Sequence, residues 1–162
     1  MKTATLTLQQ DYHSSIAANI SAGEAYEKIS RVNEWWALNF EGSAQKAGDI
    51  FTVRFGDTFV TFKITEAIDS KKYTWHVTEC FLPWLNDKTE WTGTDVVFEI
   101  THDNNFTKID MTHVGLVPGV ACYNVCEDGW NRHLKDLTVR LETGICSPPW
   151  PRDQFSSKSW EA

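Results

Sequence analysis

One glutamate and two histidines are the side chains whose spacing best suits acid–base chemistry. Glu79 lies two residues beyond Val77 and His113 lies two beyond Met111, so each continues the apolar face of a predicted strand. His133 falls on the apolar stripe of a predicted helix. Burial raises the pKa of a carboxyl group and keeps a histidine neutral, which suits proton transfer. The same residues could instead orient the polar head of a ligand, bond to the backbone, or, for Glu79 at its strand end, be solvated.

The thiols offer a second chemistry. Cys122 and Cys126 stand one helical turn apart near a predicted helix start, where the helix dipole favours a thiolate. They lack the Cys-x-x-Cys spacing of redox sites, so core packing is the favoured interpretation. Tetrahedral zinc normally uses paired, closely spaced ligands at both ends of a site, and two thiols with a single histidine do not provide them. We therefore expect no metal and no cofactor.

Aromatic residues are unusually frequent in this chain. Eight tryptophans and nine phenylalanines occur among 162 residues. Large aromatic side chains bury the most area per residue and also line ligand pockets. The composition therefore favours an internal cavity.

The elements that must position these groups follow from hydrophobic periodicity. Segments alternating with a period of two predict strands at 12–20, 49–55, 58–67, 72–80, 94–101 and 107–113. Ser21 and Glu24 have the spacing of a capping box, which predicts a helix start, and a second short turn is predicted near 33–36. The long helical pattern runs over 121–143, and Gly144 ends it.

This order predicts an α+β domain in which an antiparallel sheet of about six or seven strands wraps around one long C-terminal helix, with two short helices after the first strand. The length suits a single core. We expect one domain over residues 1–144. Residues 145–162 contain Pro148, Pro149 and Pro151, which predict an irregular C-terminal extension.

Charge and hydropathy exclude several partners. Fifteen basic residues stand against 22 acidic ones, a net charge of −7, and no segment gathers the basic residues. Binding to nucleic acid or to an anionic membrane surface is therefore not expected. The polar N-terminus and the absence of an apolar run of eighteen residues predict a cytoplasmic protein without integral membrane association. Either a monomer or a homodimer is compatible with the sequence.

Three segments of the chain resemble the SRPBCC superfamily, which includes START lipid-transfer domains and birch-pollen-allergen-like proteins. They read WTGTDVVFEI at 91–100, HVGLVP at 113–118 and CYNVCEDGW at 122–130. Within the superfamily, the chain is similar to the subgroup named for the activator of heat-shock-protein-ninety ATPase, over about residues 12–144. The resemblance implies a helix-grip fold, in which a curved sheet encloses a hydrophobic cavity against the helix. It does not specify a ligand.

Two aromatic segments have open roles. Residues 81–85, FLPWL, and the later Trp91 lie between two predicted strands, and Trp35 and Trp36 follow the first helix. An exposed apolar loop usually marks a contact surface or the lid of a pocket. Alternatively, the segment folds back as ordinary core.

These observations predict binding of an apolar or amphipathic small molecule, aromatic or lipid-like, between sheet and helix. Glu79, His113 and His133 are the expected polar anchors. The expected lining is Phe51, Val53, Phe62, Trp75, Val77, Phe98, Met111, Trp130 and Leu134. One alternative is a chaperone-regulatory or other protein-interaction module. The other is a cyclase- or hydrolase-like enzyme, which requires at least two of the three anchors to converge.

Overall fold

A seven-stranded antiparallel sheet forms the body of the protein. The computed structural model describes residues 10–37, 39–103, 105–120 and 122–144. The strands are β1 (Tyr12–Ala18), β2 (Asn39–Gly42), β3 (Ile50–Phe55), β4 (Thr58–Ile68), β5 (Lys72–Phe81), β6 (Asp95–Asp103) and β7 (Phe106–Val114). Their order is β1-β7-β6-β5-β4-β3-β2, with every neighbouring pair antiparallel. The predicted strands are thus confirmed, and the short β2 is an additional edge strand that the alternation pattern does not predict.

The connection from β1 to β2 contains the two predicted short helices. Helix α1 spans Ala22–Ser30 and is followed by a 3-10 helix, Val32–Glu34. Ser21 is the N-cap of α1, and its side chain accepts a hydrogen bond from the Glu24 amide at 3.1 Å. This cap satisfies one of the free amides at the helix start.

The long C-terminal helix α2 spans Tyr123–Thr143 and covers the concave side of the sheet. It ends at Gly144, which adopts a positive φ of 77° as the predicted C-cap. Its buried stripe is Cys126, Gly129, Trp130, His133, Leu134, Leu137 and Leu141. The predicted helix-grip fold is therefore confirmed.

Two further predictions have different outcomes. Within the described residues, no helix combines the length and apolarity that a membrane crossing requires. The predicted extension, 145–162, lies outside the described residues, so the proposed boundary at Gly144 stays a prediction.

Candidate functional site

The expected lining residues share the space between the sheet and α2. Strands β3 to β7 contribute seven of them and α2 contributes two. Every one is at most 2% exposed: Phe51, Val53, Phe62, Trp75, Val77, Phe98, Met111, Trp130 and Leu134. Strand parity and helix periodicity therefore place these side chains together, and their role in ligand binding remains a proposal.

The aromatic members of this set pack directly against one another. Phe51 lies with its ring centroid 5.0 Å from that of Phe62 and 5.0 Å from that of Trp75. Trp75 also contacts Phe98, with 4.7 Å between ring centroids. Such separations are typical of favourable aromatic pairs. Much of the inner face is therefore a continuous aromatic surface.

Trp36 occupies the centre of this aromatic surface, although it comes from the connection after the 3-10 helix. Its ring is completely buried and stacks parallel to Trp75, at 6.2 Å and an interplanar angle of 5°. It also lies 5.1 Å from Trp130 on α2 and 5.8 Å from Phe62 on β4. One side chain thus contacts both walls of the expected ligand space. From the sequence alone, the role of Trp36 was open.

Two indole N–H groups in this space have no hydrogen-bond acceptor among the described residues. They belong to Trp36 and Trp75, both fully buried. By contrast, Trp35 donates to the Ile29 carbonyl at 3.1 Å, and Trp84 donates to the Thr58 hydroxyl at 3.2 Å. A buried donor without an acceptor costs about 1–3 kcal/mol. The indole N–H groups of Trp36 and Trp75, which lack an acceptor, therefore both lie in the expected ligand space.

His113 is buried, and both of its ring nitrogens are occupied. The indole of Trp130 donates to His113 Nδ1 at 3.0 Å. Because an indole can only donate, Nδ1 must be an acceptor and the histidine proton lies on Nε2. That proton is donated to Thr94 Oγ1 at 2.9 Å, and Thr94 in turn donates to the Trp91 carbonyl at 2.6 Å. His113 therefore acts as a structural link that holds Trp130 in place.

His133 is the second buried histidine and lies beside Trp36. Their ring centroids are 5.7 Å apart. The Phe55 ring also stacks on His133, with 6.2 Å between the ring centroids. Burial lowers the pKa of His133 to about 3, with a further contribution from the charge of Arg132. Burial alone lowers the pKa of His113 to about 3. Both histidines are therefore neutral at physiological pH.

The prediction that Glu79 faces the interior is wrong. Thr61 pairs with Glu79 whereas Phe62 pairs with Val77, so Thr78 is an extra residue that creates a β-bulge in β5. A bulge reverses the side-chain alternation beyond it. Glu79 is consequently exposed. Only the two histidines remain inside, and the three predicted anchors do not converge.

The thiols pack in the core. Cys122 and Cys126 are free and buried, and Cys122 Sγ accepts a hydrogen bond from the Trp91 indole at 3.4 Å. Burial raises the pKa of Cys126 far above its ordinary value, and the neighbouring Cys122 adds to this shift. A protonated thiol is a poor nucleophile. The geometry favours the packing interpretation.

The apolar loop after β5 folds back onto the domain. Leu82 is fully buried, Leu85 is 9% exposed and Trp91 is 2% exposed. Phe81 remains 37% exposed. Most of this segment is therefore core, which corresponds to the second of the two predicted alternatives.

A groove of about 680 Å³ lies apart from the aromatic space, at the turn between β4 and β5. Ile68 and Ile100 provide apolar lining, and Lys71 and Lys72 provide positive charge. None of the predicted lining residues contributes to it. Lys72 is paired with Glu66 at 3.1 Å, which offsets part of that charge.

Comparison with solved structures identifies the fold. The solution structure of the Aha1 dimer from Colwellia psychrerythraea matches with a TM-score of 0.69 and 22% identity, over 83% of this chain and 97% of that chain. The chain shares the fold of this Aha1 structure. The resemblance predicted from the sequence is thus confirmed at the level of the fold. No family model and no curated protein sequence matches the chain.

Two further solved structures with the same fold are those of DynU16 and CalU16. DynU16, a protein in the dynemicin biosynthetic locus, matches with a TM-score of 0.64 and 18% identity, over 83% of this chain and 48% of that chain. The chain therefore spans about half the length of DynU16. CalU16 from Micromonospora echinospora matches with a TM-score of 0.62 and 12% identity, over 84% of this chain and 78% of that chain. At these identities the likeness establishes the fold alone.

Proposed function

We propose that the protein binds an apolar or amphipathic small molecule between the sheet and α2. The observation that carries this proposal is the pair of buried indole N–H groups, on Trp36 and Trp75, that have no acceptor among the described residues. Buried polar groups in folded proteins nearly always have a partner, which can be a ligand or an ordered water. A ligand with an acceptor oxygen would supply one.

The proposed ligand is a planar aromatic compound rather than a flexible lipid. Flat rings stack on indole and phenyl faces, and the walls offer such faces from Trp75, Phe62 and Phe51. An aromatic carbonyl or ether would pair with the Trp75 N–H. The ligand would lie beside His133, while His113 would act indirectly by positioning Trp130.

The ligand space is filled in this structure, so binding requires a side chain to leave. Trp36 is the candidate, because the other rings lie on strands held by neighbours on both sides or on α2. Trp36 lies in the connection after the 3-10 helix and fills the space that a planar ligand would take. The proposed ligand therefore resembles an indole ring in shape.

The proposal extends to the location and oligomeric state of the protein, and it ranks the alternative functions lower. Cys80, Cys122 and Cys126 are free and buried, which suits a reducing cytoplasm. The dimeric state of the Colwellia neighbour raises a homodimer as a further proposal. A chaperone partner has less support, because the loop expected to contact it is mostly buried. An acid–base enzyme also has less support, since Glu79 is exposed and both ring nitrogens of His113 are already bonded, to Thr94 and Trp130.

The first experiment is native mass spectrometry of protein purified without denaturation, followed by extraction and identification of any bound compound. Melting temperature is then measured with fatty acids, sterols and planar aromatics. We expect a retained or stabilising aromatic compound. An empty protein whose melting temperature does not rise with any of these compounds would contradict the proposal.

A matched pair of probes tests the acceptor. We expect 2-acetylnaphthalene to bind about tenfold more tightly than 2-ethylnaphthalene, because only the ketone can accept from the Trp75 N–H. Trp75→Phe keeps a ring and removes the donor, so the preference should disappear. Trp84→Phe is the control, since that indole donates to Thr58 instead. Equal binding of both probes to the wild-type protein would exclude this role of Trp75.

A further inference from the structure

The segment that carries Trp36 has fully buried apolar side chains, Val32, Trp35, Trp36 and Ala37, and local backbone hydrogen bonds. We call residues 31–37, between α1 and β2, the Trp36 connector. The amides of Trp35, Trp36 and Ala37 all donate to one carbonyl, that of Val32, at 3.4, 2.8 and 3.2 Å. Because these backbone bonds are local, they can open without disturbing the sheet.

One ion pair ties the Trp36 connector to α2. Arg140 donates from Nε to Glu34 Oε1 at 3.0 Å and also donates from Nη2 to the same oxygen. The two side chains are 12% and 24% exposed, so water screens the pair only partly. Arg140 Nη1 also donates to the Gly144 carbonyl at 3.1 Å, which fixes the guanidinium at the end of α2. The pair joins the connector to the helix that forms one wall of the ligand space.

The strands that form the walls of the ligand space cannot open locally as the connector can. Trp75 lies on β5, which pairs with β4 on one side and β6 on the other. Phe62 lies on β4, which pairs with β3 and β5. Moving either ring out of the space would break ladder hydrogen bonds with two neighbouring strands. Moving the connector leaves the sheet intact, but it requires loss of the Trp36 ring contacts, of the Glu34 ion pair and of the hydrogen bond from Trp35 to the Ile29 carbonyl.

We propose that the Trp36 connector is a gate for the ligand space, with Trp36 as its plug and the Glu34–Arg140 ion pair as its latch. This inference rests on the proposed function. In the closed state, the Trp36 indole occupies the position of the ligand ring. In the open state, the ion pair is broken, the connector swings outward and a planar ligand stacks on Trp75. Ligand entry is then limited by the opening of the latch.

Hydrogen exchange without ligand tests the gate independently of the ligand. In the wild-type protein, we expect the amides of the Trp36 connector to exchange faster than those of β4 and β5, because the gate opens without global unfolding. Glu34→Gln should speed exchange in the connector by roughly tenfold and leave the two strands unchanged. Glu27→Gln is the control, because it removes an exposed ion pair, Glu27–Arg31 at 3.5 Å, that joins the connector to α1 and not to α2. In the Glu27→Gln variant, the connector amides should exchange at the wild-type rate.

A charge swap separates the latch from general destabilisation. Glu34→Arg combined with Arg140→Glu restores an ion pair at the same place, so connector exchange should return toward the wild-type rate. The gate is refuted if the connector exchanges only together with β4 and β5, or if Glu34→Gln accelerates the strands as much as the connector.

Binding kinetics connect the gate to the ligand. With 2-acetylnaphthalene as the probe, Glu34→Gln should raise the association rate by roughly the same factor as connector exchange. An unchanged association rate would overturn the gating role. If the exchange pattern is as expected but no probe binds, the mobile connector stands and the proposed function fails alone.

Discussion

Mild acid should destabilise this protein strongly, because two neutral histidines are buried in its core. Burial lowers the pKa of His113 and of His133 to about 3, with the charge of Arg132 adding to the shift of His133. In the unfolded chain, a histidine titrates near pH 6.5. Between pH 6.5 and 3 the unfolded state therefore binds more protons than the folded state. Stability is complete above pH 6.5 and falls as the pH decreases through this window.

The magnitude follows from these pKa values. Relative to pH 7, each histidine should lower the free energy of unfolding at pH 5 by about 2 kcal/mol, or about 4 kcal/mol for both. Carboxylates with ordinary pKa values near 4 titrate mostly below pH 5, so this window isolates the histidines. The loss is a large fraction of the about 5–15 kcal/mol that stabilises a typical domain.

Urea unfolding followed by tryptophan fluorescence at pH 7 and pH 5 measures this loss. His133→Phe keeps an aromatic ring and removes one titrating group, so its loss should fall to about 2 kcal/mol. Phe55→Leu is the control, because it disturbs the same packing without removing a histidine. Its loss should stay at about 4 kcal/mol. Equal stability of the wild-type protein at the two pH values would refute the assignment of buried, neutral histidines.

Four further changes test the core and the helix cap by urea unfolding at pH 7. His113→Leu should cost about 2–4 kcal/mol, because it leaves the Trp130 N–H buried without its acceptor. Trp36→Phe should change the free energy of unfolding by less than about 1 kcal/mol, since losing an unpaired donor offsets the lost burial. Trp35→Phe should cost about 1–3 kcal/mol, because that indole donates to the Ile29 carbonyl. Equal costs for the two variants would contradict this. Ser21→Ala should cost about 1 kcal/mol by removing the N-cap, and no loss would exclude that role.

The fold could be predicted because it depends on periodic patterns. Alternation placed five long strands and β1 within about two residues of their observed bounds, and a single glycine placed the end of α2. The short β2, Asn39–Gly42, was missed because four residues, of which three are exposed, carry too little alternation to predict a strand. The same patterns brought the expected lining residues together.

The candidate site could be predicted only where the pattern is unbroken. Counting by two from Val77 placed Glu79 inside, and the single extra residue Thr78 reversed that assignment. For His113 the direction was predicted correctly, but its partners were not. The Trp130 indole lies on another element, and sequence spacing does not show that it would fix the histidine tautomer.

The abundance of aromatic residues favoured an internal cavity, whereas in the structure the rings fill the space between the sheet and α2. The strands and α2 contribute rings at periodic positions, but Trp36 reaches the same space from a segment without a period. Filling the space in this way leaves two buried N–H groups without acceptors among the described residues, at a cost of about 1–3 kcal/mol each. In the proposed binding mode, a planar ligand that carries an acceptor would recover the cost of the Trp75 donor, and outward movement of Trp36 would return its own donor to water. The two unpaired donors therefore give an acceptor-bearing ligand a specific energetic reason to replace Trp36 in the proposed gate.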